Sequence, residues 1–215
     1  MATLVERLRS VVSSVEDDFY EDDTLLFYLN KSQYRIVSYL ATLEQRANKS
    51  LRALDTVRKV ITATAPAPTL LYNSVYETQF NLDTSILQLL SIRHTKYKNV
   101  REIATSKIHL VFDGNSKPSA DEIFYFIITS GSTKIVKLYE SATHAGVNLE
   151  LFSITRPTDV TTTSTSFSSL PEQLENAVIY GAAEMMILQE SVKDPNTSLQ
   201  TIRAIYQDEL NGGTF

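Results

Sequence analysis

Residues 122–140 read EIFYFIITSGSTKIVKLYE, and their pattern decides the fold class. Two runs of β-branched and aromatic residues flank Ser130-Gly131-Ser132, a turn whose glycine tolerates positive φ. This arrangement predicts a β-hairpin. Along its first strand Ile123, Tyr125 and Ile127 point one way and Phe124, Phe126 and Ile128 the other, so protein is expected on both faces. Such a strand needs a sheet, and period-two segments lie on either side of it. NSVYETQFNL (73–82) reads as a strand, DTSILQLLSIRHTKYKNVREI (83–103) as strand-like and IHLVFDG (108–114) as a further short strand. VNLELFSI (147–154) alternates as well, with Val147, Leu149 and Leu151 on a single face.

Outside this block the period becomes helical. Leu4, Val5, Leu8, Val11, Val12 and Val15 make one stripe at spacings of three and four. The acidic stretch EDDFYEDD (16–23) follows, and Asp22, Asp23 or Thr24 is expected to cap a second helix, where carboxylates suit the positive end of the dipole. That helix carries Leu25, Leu29, Ser32, Ile36, Leu40 and Leu43 on one face, flanked by Tyr28, Tyr34 and Tyr39. Leu51, Leu54, Val57, Val60 and Ile61 predict a third helix, stopped by the prolines of TATAPAPT (62–69).

Beyond the sheet, TTTSTSFSSLPEQL (161–174) begins with a run in which only Phe167 interrupts Ser and Thr as far as Ser169. Clusters of this kind mark loops, because their hydroxyls bond locally to backbone. Phe167 is expected to be tucked against protein. Ser169 and Glu172 have the spacing of a capping box, with Pro171 in the first turn of a helix whose stripe is Leu174, Val178, Gly181/Ala182, Met185 and Leu188. DPNT (194–197) separates it from a last helix, SLQTIRAIYQDEL (198–210), and NGGTF (211–215) reads as a short flexible tail. The order of helices, sheet and helices defines an α+β chain, a helical bundle with an inserted antiparallel β-sheet. The expected division is N-terminal helices within 1–65, a β-rich insertion at 72–156, the hydroxyl-rich loop at 157–169, C-terminal helices at 170–210 and the tail at 211–215, all in one domain.

At 215 residues, 43% apolar and 21% charged, the composition is that of a globular chain with a sizeable core. A net charge of −5 recruits neither nucleic acid nor anionic membrane globally. Without cysteine there are no disulfides, thiolate nucleophiles or zinc–cysteine sites. Glu6, Arg7 and Arg9 interrupt the apolar pattern of the N-terminal stretch, which therefore does not read as a signal peptide, and the sequons at Asn30, Asn48 and Asn196 lack a secretory context. No apolar run approaches the roughly 18 residues of a membrane span.

Motifs for chemistry are lacking. The six glycines form no phosphate loop, no G-x-S-x-G elbow occurs, and His94, His109 and His144 have no ligand spacing. EDDFYEDD lacks the alternating ligands, central glycine and terminal glutamate of a calcium loop and reads as a solvated connection. The segment SIRHTKYKNVR (91–101) is locally basic through Arg93, Lys96, Lys98 and Arg101 around Tyr97. It suits a solvent-facing strand pair, a nucleic-acid contact, or a contact with the acids at 16–23 of a neighbouring subunit. The sequence thus reads as a non-enzyme with no cofactor and no metal.

Four stretches carry a resemblance. They are LLFYLNKSQYRIVSYL (25–40), YETQFNLDTSILQLLSI (76–92), the hairpin at 122–140, and VNLELFSITRPTDVTTTSTSFSSLPEQLENAVIYGAAEMM (147–186). In order and character they resemble the head-to-tail connector (portal adaptor) proteins of tailed bacteriophages, including the tail-tubular type of the podovirus neck. In that family a final strand runs into Arg-Pro, a polar loop, Leu-Pro and a helix with small residues; here these are Arg156-Pro157, the hydroxyl-rich loop, Leu170-Pro171 and Gly181-Ala182-Ala183. Where family members often show a leucine-proline before an aspartate, Leu82 is followed directly by Asp83.

The resemblance implies a structural virion protein that forms a ring, typically of about twelve subunits, beneath the portal. Such a ring extends the DNA channel without sequence-specific contact and docks the tail or nozzle protein, in the virion neck after assembly in the host cytoplasm. Asn211, Gly212, Gly213, Thr214 and Phe215 would dock into the portal. Arg93, Lys96, Lys98, Arg101, Asp17, Asp18 and Asp22 are the candidates for subunit interface or channel. The alternatives are a neck stopper ring, or a nucleic-acid-binding module outside phages that uses residues 93–101.

Overall fold

The computed structural model describes residues 2–13, 20–47, 50–64, 66–71, 74–94, 99–113, 116–131, 133–141, 148–190 and 197–212. The chain is α+β and divides into two compact units: Met1–Val57 with Arg156–Phe215, which is helical, and Arg58–Thr155, which carries the sheets.

The helical unit consists of α1 (Leu4–Ser13), α2 (Asp22–Ala47), α3 (Glu175–Glu190) and α4 (Thr197–Gly212). α3 packs against the other three. It buries Ala177, Val178, Ile179, Ala182, Ala183, Met186 and Ile187, and so is apolar around most of its circumference, as a central helix must be. Leu188, expected on its buried stripe, is exposed. Gly181 sets the closest approach: a Cβ there would lie 2.7 Å from Ser32 Oγ on α2 and 3.0 Å from the Tyr206 ring on α4. α2 buries Leu25, Leu29, Ser32, Ile36 and Leu40 as the periodicity requires, with Leu43 half-buried.

The helix ends depart from expectation. The expected capping box at Ser169 and Glu172 does not form, because the Ser169 hydroxyl instead accepts a hydrogen bond from the Thr158 N–H at 2.7 Å. A 3-10 turn, Glu172–Leu174, follows Pro171 and leads into α3. A capping box exists at α1, where Thr3 N–H donates to Glu6 Oε2 at 2.7 Å and Glu6 N–H donates to Thr3 Oγ1 at 3.2 Å. The first bonds of α2 end on the Glu21 carbonyl, so Asp22 and Asp23 stand inside its first turn and complement the dipole rather than cap it. α4 extends through Asn211 and Gly212, held by buried Leu210, so these two residues are helical rather than a flexible tail.

The expected third helix is replaced by a 3-10 turn, Arg52–Leu54, and strand β1 (Arg58–Thr64). The β-branched residues Val60, Ile61 and Thr62 favour extended backbone, and β1 pairs along its whole length with β8 (Asn148–Thr155), from Arg58↔Ile154 to Thr64↔Asn148. The sheet-bearing segment therefore begins at Arg58, earlier than residue 72. IHLVFDG also differs from its expected form: Thr105–Phe112 is a 3-10 segment.

In the sheet unit, β4 (Ile86–His94) completes a three-stranded antiparallel sheet in the order β1-β8-β4. The second sheet has the order β2-β3-β7-β6-β5, from β2 (Thr69–Leu70), β3 (Tyr76–Asn81), β5 (Asn99–Glu102), β6 (Glu122–Ser130) and β7 (Thr133–Glu140). Its pairs are antiparallel except β5 with β6. The hairpin forms as read, closed by Ser130↔Thr133, with Gly131 at φ +60°. Both faces of β6 are covered. Ile123 and Tyr125 join Val136, Leu138, Leu149 and Leu151 in the core shared by the two sheets. Phe124 and Phe126 join Tyr139, Val75 and Val111 on the opposite face, where Ile108 and Phe112 of the 3-10 segment pack.

Candidate interaction surfaces

The hydroxyl-rich loop has no ladder to satisfy its backbone, so side chains of the helices do it. The amide of Asn30 on α2 brackets Val160: Val160 N–H donates to Asn30 Oδ1 at 2.8 Å, and Asn30 Nδ2 donates to the Val160 carbonyl at 3.4 Å. Three residues further along α2, Gln33 Nε2 donates to the Thr158 carbonyl at 2.9 Å. The Leu4 N–H donates to the Ser164 carbonyl at 2.9 Å, and Thr56 Oγ1 donates to the Ser169 carbonyl at 2.7 Å. The bond from Thr158 N–H to Ser169 Oγ joins the two ends of the loop. Pro157, Val160, Phe167, Ser169 and Leu170 are buried, whereas Thr161, Thr162, Thr163, Thr165, Ser166 and Ser168 face outward. Phe167 is tucked in as its isolation in the polar run requires.

Two buried carboxylates organise the surroundings. Glu175, at the start of α3, accepts Arg7 at 2.9 Å and the Phe167 N–H at 3.2 Å. Arg7 also donates to Asn176 Oδ1 at 3.1 Å, which occupies both arms of its guanidinium. A groove of about 720 Å³ opens beside them, lined by Ala2, Arg7, Ser166, Phe167, Glu172 and Asn176 among others. Glu184, in the middle of α3, takes Arg203 Nε at 2.8 Å and lies 3.6 Å from Arg35. Burial pushes the Tyr206 phenol upward, with Arg35 opposing that rise. Both carboxylates are engaged by cations, an arrangement that fixes helices rather than one that presents a free base.

In the sheet unit, desolvation pushes Tyr125 up to about 12, helped by Glu102. Tyr139 is raised further by burial and by donating its hydroxyl to Glu77 at 2.7 Å. A cavity of about 350 Å³ beside β5 is lined by Arg101, Ile103, Lys107, Leu110, Val111 and Phe124 among others.

The residues singled out in the sequence fall in several places. Asp22 is ion-paired with Arg9 of its own chain. Arg93 on β4 lies opposite Glu150 on β8, 3.6 Å away. Arg101 on β5 sits 3.7 Å from Glu122 and lies over the Phe124 ring at 4.5 Å. The two arginines stand on different sheets, each beside an acid. Asn211 and Gly212 end α4. Asp17, Asp18, Lys96, Lys98, Gly213, Thr214, Phe215 and His144 lie outside the described residues. His94 is buried at the end of β4, and His109 is exposed on the 3-10 segment. Among the described residues no three His, Asp or Glu side chains are grouped to hold a metal ion, and no helix is long and apolar enough to cross a membrane.

Asn30, Gln33, Arg7, Glu175 and Glu184 were not legible as site residues. Only Gln33 left a signal: it is a long amide among Leu29, Ser32 and Ile36 on the buried face of α2, and it is fully buried. Compared with known proteins, the chain matches no family model and no curated sequence.

Proposed function

We propose that the chain is a structural subunit of the neck of a tailed bacteriophage. It assembles as a ring beneath the portal, extends the DNA channel and docks the tail or nozzle protein. Its partners are the portal, the tail or nozzle protein and identical subunits; its place is the virion neck, after assembly in the host cytoplasm. The observation that carries this reading is the hydroxyl-rich loop at 157–169. An irregular segment whose backbone is held by α1, α2, α3 and the turn before β1 presents its outward hydroxyls at a reduced backbone ordering cost on binding, which suits an assembly contact. The order of segments that resembles the connector family supports the same class, as does the close helix approach at Gly181.

The test is light scattering and electron microscopy of the purified chain, alone and mixed with portal rings. The expected product is a ring of about twelve copies bound to the portal. A chain that remains at 24.2 kDa in both conditions sinks the reading. Residues 211–215 are assigned to portal docking, with Phe215 as the apolar anchor. Deleting them is expected to weaken attachment, and undiminished portal binding would end that assignment.

A further inference from the structure

The outward line of α2 carries Phe27, Lys31 and Tyr34 at spacings of four and three, opposite the buried Leu25, Leu29, Ile36 and Leu40. Phe27 is 59% exposed and Tyr34 41%. Cations lie on these rings: Lys31 Nζ is 5.4 Å from the Phe27 centroid, and the Arg156 guanidinium is 5.6 Å from that of Tyr34. Arg35, one turn beyond Lys31, shares Glu184 with Arg203. Glu184, which is 4% exposed, is thus engaged by Arg35 and Arg203, whereas Lys31 and Arg156 lie on the exposed rings. Asp23 stands at the N-terminal end of the line, one turn before Phe27.

The rest of the helical unit has the opposite character. The unit carries 10 Lys+Arg against 17 Asp+Glu, a formal −7, whereas the sheet unit carries 10 against 8, a formal +2; together they make the chain's −5. Lys31 and Arg156 therefore mark a cationic, aromatic face, with Arg35 one turn along α2, on a unit whose net charge is negative.

We propose that this face of α2 is a subunit contact whose occupant is the acid-rich helical unit of a second copy of the chain. The inference deepens the ring reading, on which it rests, by naming one of its surfaces. Exposed aromatics beside Arg are the composition of interface anchors, and charge complementarity sets register and partner choice. A cationic face meeting a different, acidic face is a heterologous contact, the kind that closes into a ring. A polynucleotide would meet the same cations, and the oligonucleotide arm of the experiment below separates it from the second copy.

The experiment is zero-length carbodiimide cross-linking of a mixture of isotope-labelled and unlabelled full-length chain, mapped by mass spectrometry. It is paired with light scattering of the wild type and of Lys31→Glu combined with Phe27→Ser. Both side chains are exposed, so the variant keeps its core. The expected result is an amide between Lys31 of one copy and an Asp or Glu of another, with self-association about tenfold weaker in the variant. Intermolecular links that spare Lys31, with a variant that assembles like the wild type, overturn the inference and leave the ring reading standing. A chain that stays at 24.2 kDa without intermolecular links overturns it as well, while the portal mixture tests the ring reading separately. Binding of a single-stranded oligonucleotide that is lost in the variant overturns it in favour of nucleic acid.

Discussion

The hairpin at 122–140 and the loop at 157–169 are both held in place, by opposite means. The hairpin satisfies its backbone internally, strand against strand, and buries apolar side chains on both faces. The loop has only the Thr158–Ser169 bond and a Thr161–Ser164 turn of its own, and otherwise hands its backbone to Asn30, Gln33, Thr56, Glu175 and the Leu4 amide. Order in the first is a property of the segment and its sheet. In the second it belongs mostly to residues more than a hundred positions away in the chain, Glu175 excepted, so the loop should loosen without the fold being lost.

The strongest test of that contrast is Phe126→Ala. It removes a ring buried on β6 and stacked on Tyr139 at 5.7 Å, and it is expected to cost about 3–5 kcal/mol in denaturant unfolding. Loss should appear across the whole sheet unit, because the hairpin is central to both clusters. Asn30→Ala should cost less, about 1–3 kcal/mol, because it leaves the N–H and carbonyl of Val160 without their partner. Its distinguishing readout is hydrogen exchange: the Val160 amide should lose protection while the amides of β6 and β7 keep theirs. Equal loss in both places would show that loop and hairpin are not separately stabilised.

Gly181→Ala probes the helix packing under the loop. Overpacking against Ser32 Oγ and the Tyr206 ring costs about 1–3 kcal/mol, and improved helix propensity returns about 1 kcal/mol. A net loss of about 1 kcal/mol is expected in thermal unfolding, and Ser32→Ala in the same chain should recover part of it.

The last effect is confined to alkaline pH. The folded pKa of Tyr125, about 12, lies above its ordinary value of 10.0, so its contribution is complete below pH 10. It is lost as the pH rises from there through about 12, because the unfolded chain ionises first. Tyr125→Phe should flatten the fall in stability over that window, read by denaturant titrations at successive pH values. An unchanged slope would place the alkaline sensitivity elsewhere, with Tyr139 the next candidate.

Much of the architecture was legible because it depends on periodicity. The two-faced strand, its glycine turn, the stripes of α1 and α2, the buried Phe167 and the α+β order all follow from spacing and residue type. The misreadings share another cause. Leu51, Leu54, Val57, Val60 and Ile61 have helical spacing, yet β8 offered the segment a partner strand, and the pairing outweighed the period. Ser169 and Glu172 have the spacing of a capping box, yet the Ser169 hydroxyl bonds to Thr158 instead, while the box at Thr3 and Glu6 passed unread.

By itself, then, the sequence determined which segments are apolar on one face, which on two, and where the chain must turn. These are properties of residue order and local sterics. Tertiary structure alone decided how polar groups are matched: Asn30 with Val160, Arg7 with Glu175, Arg35 and Arg203 with Glu184. A hydrogen bond or ion pair requires two groups within about 3–4 Å, and no local pattern carries that distance between residues far apart in the chain.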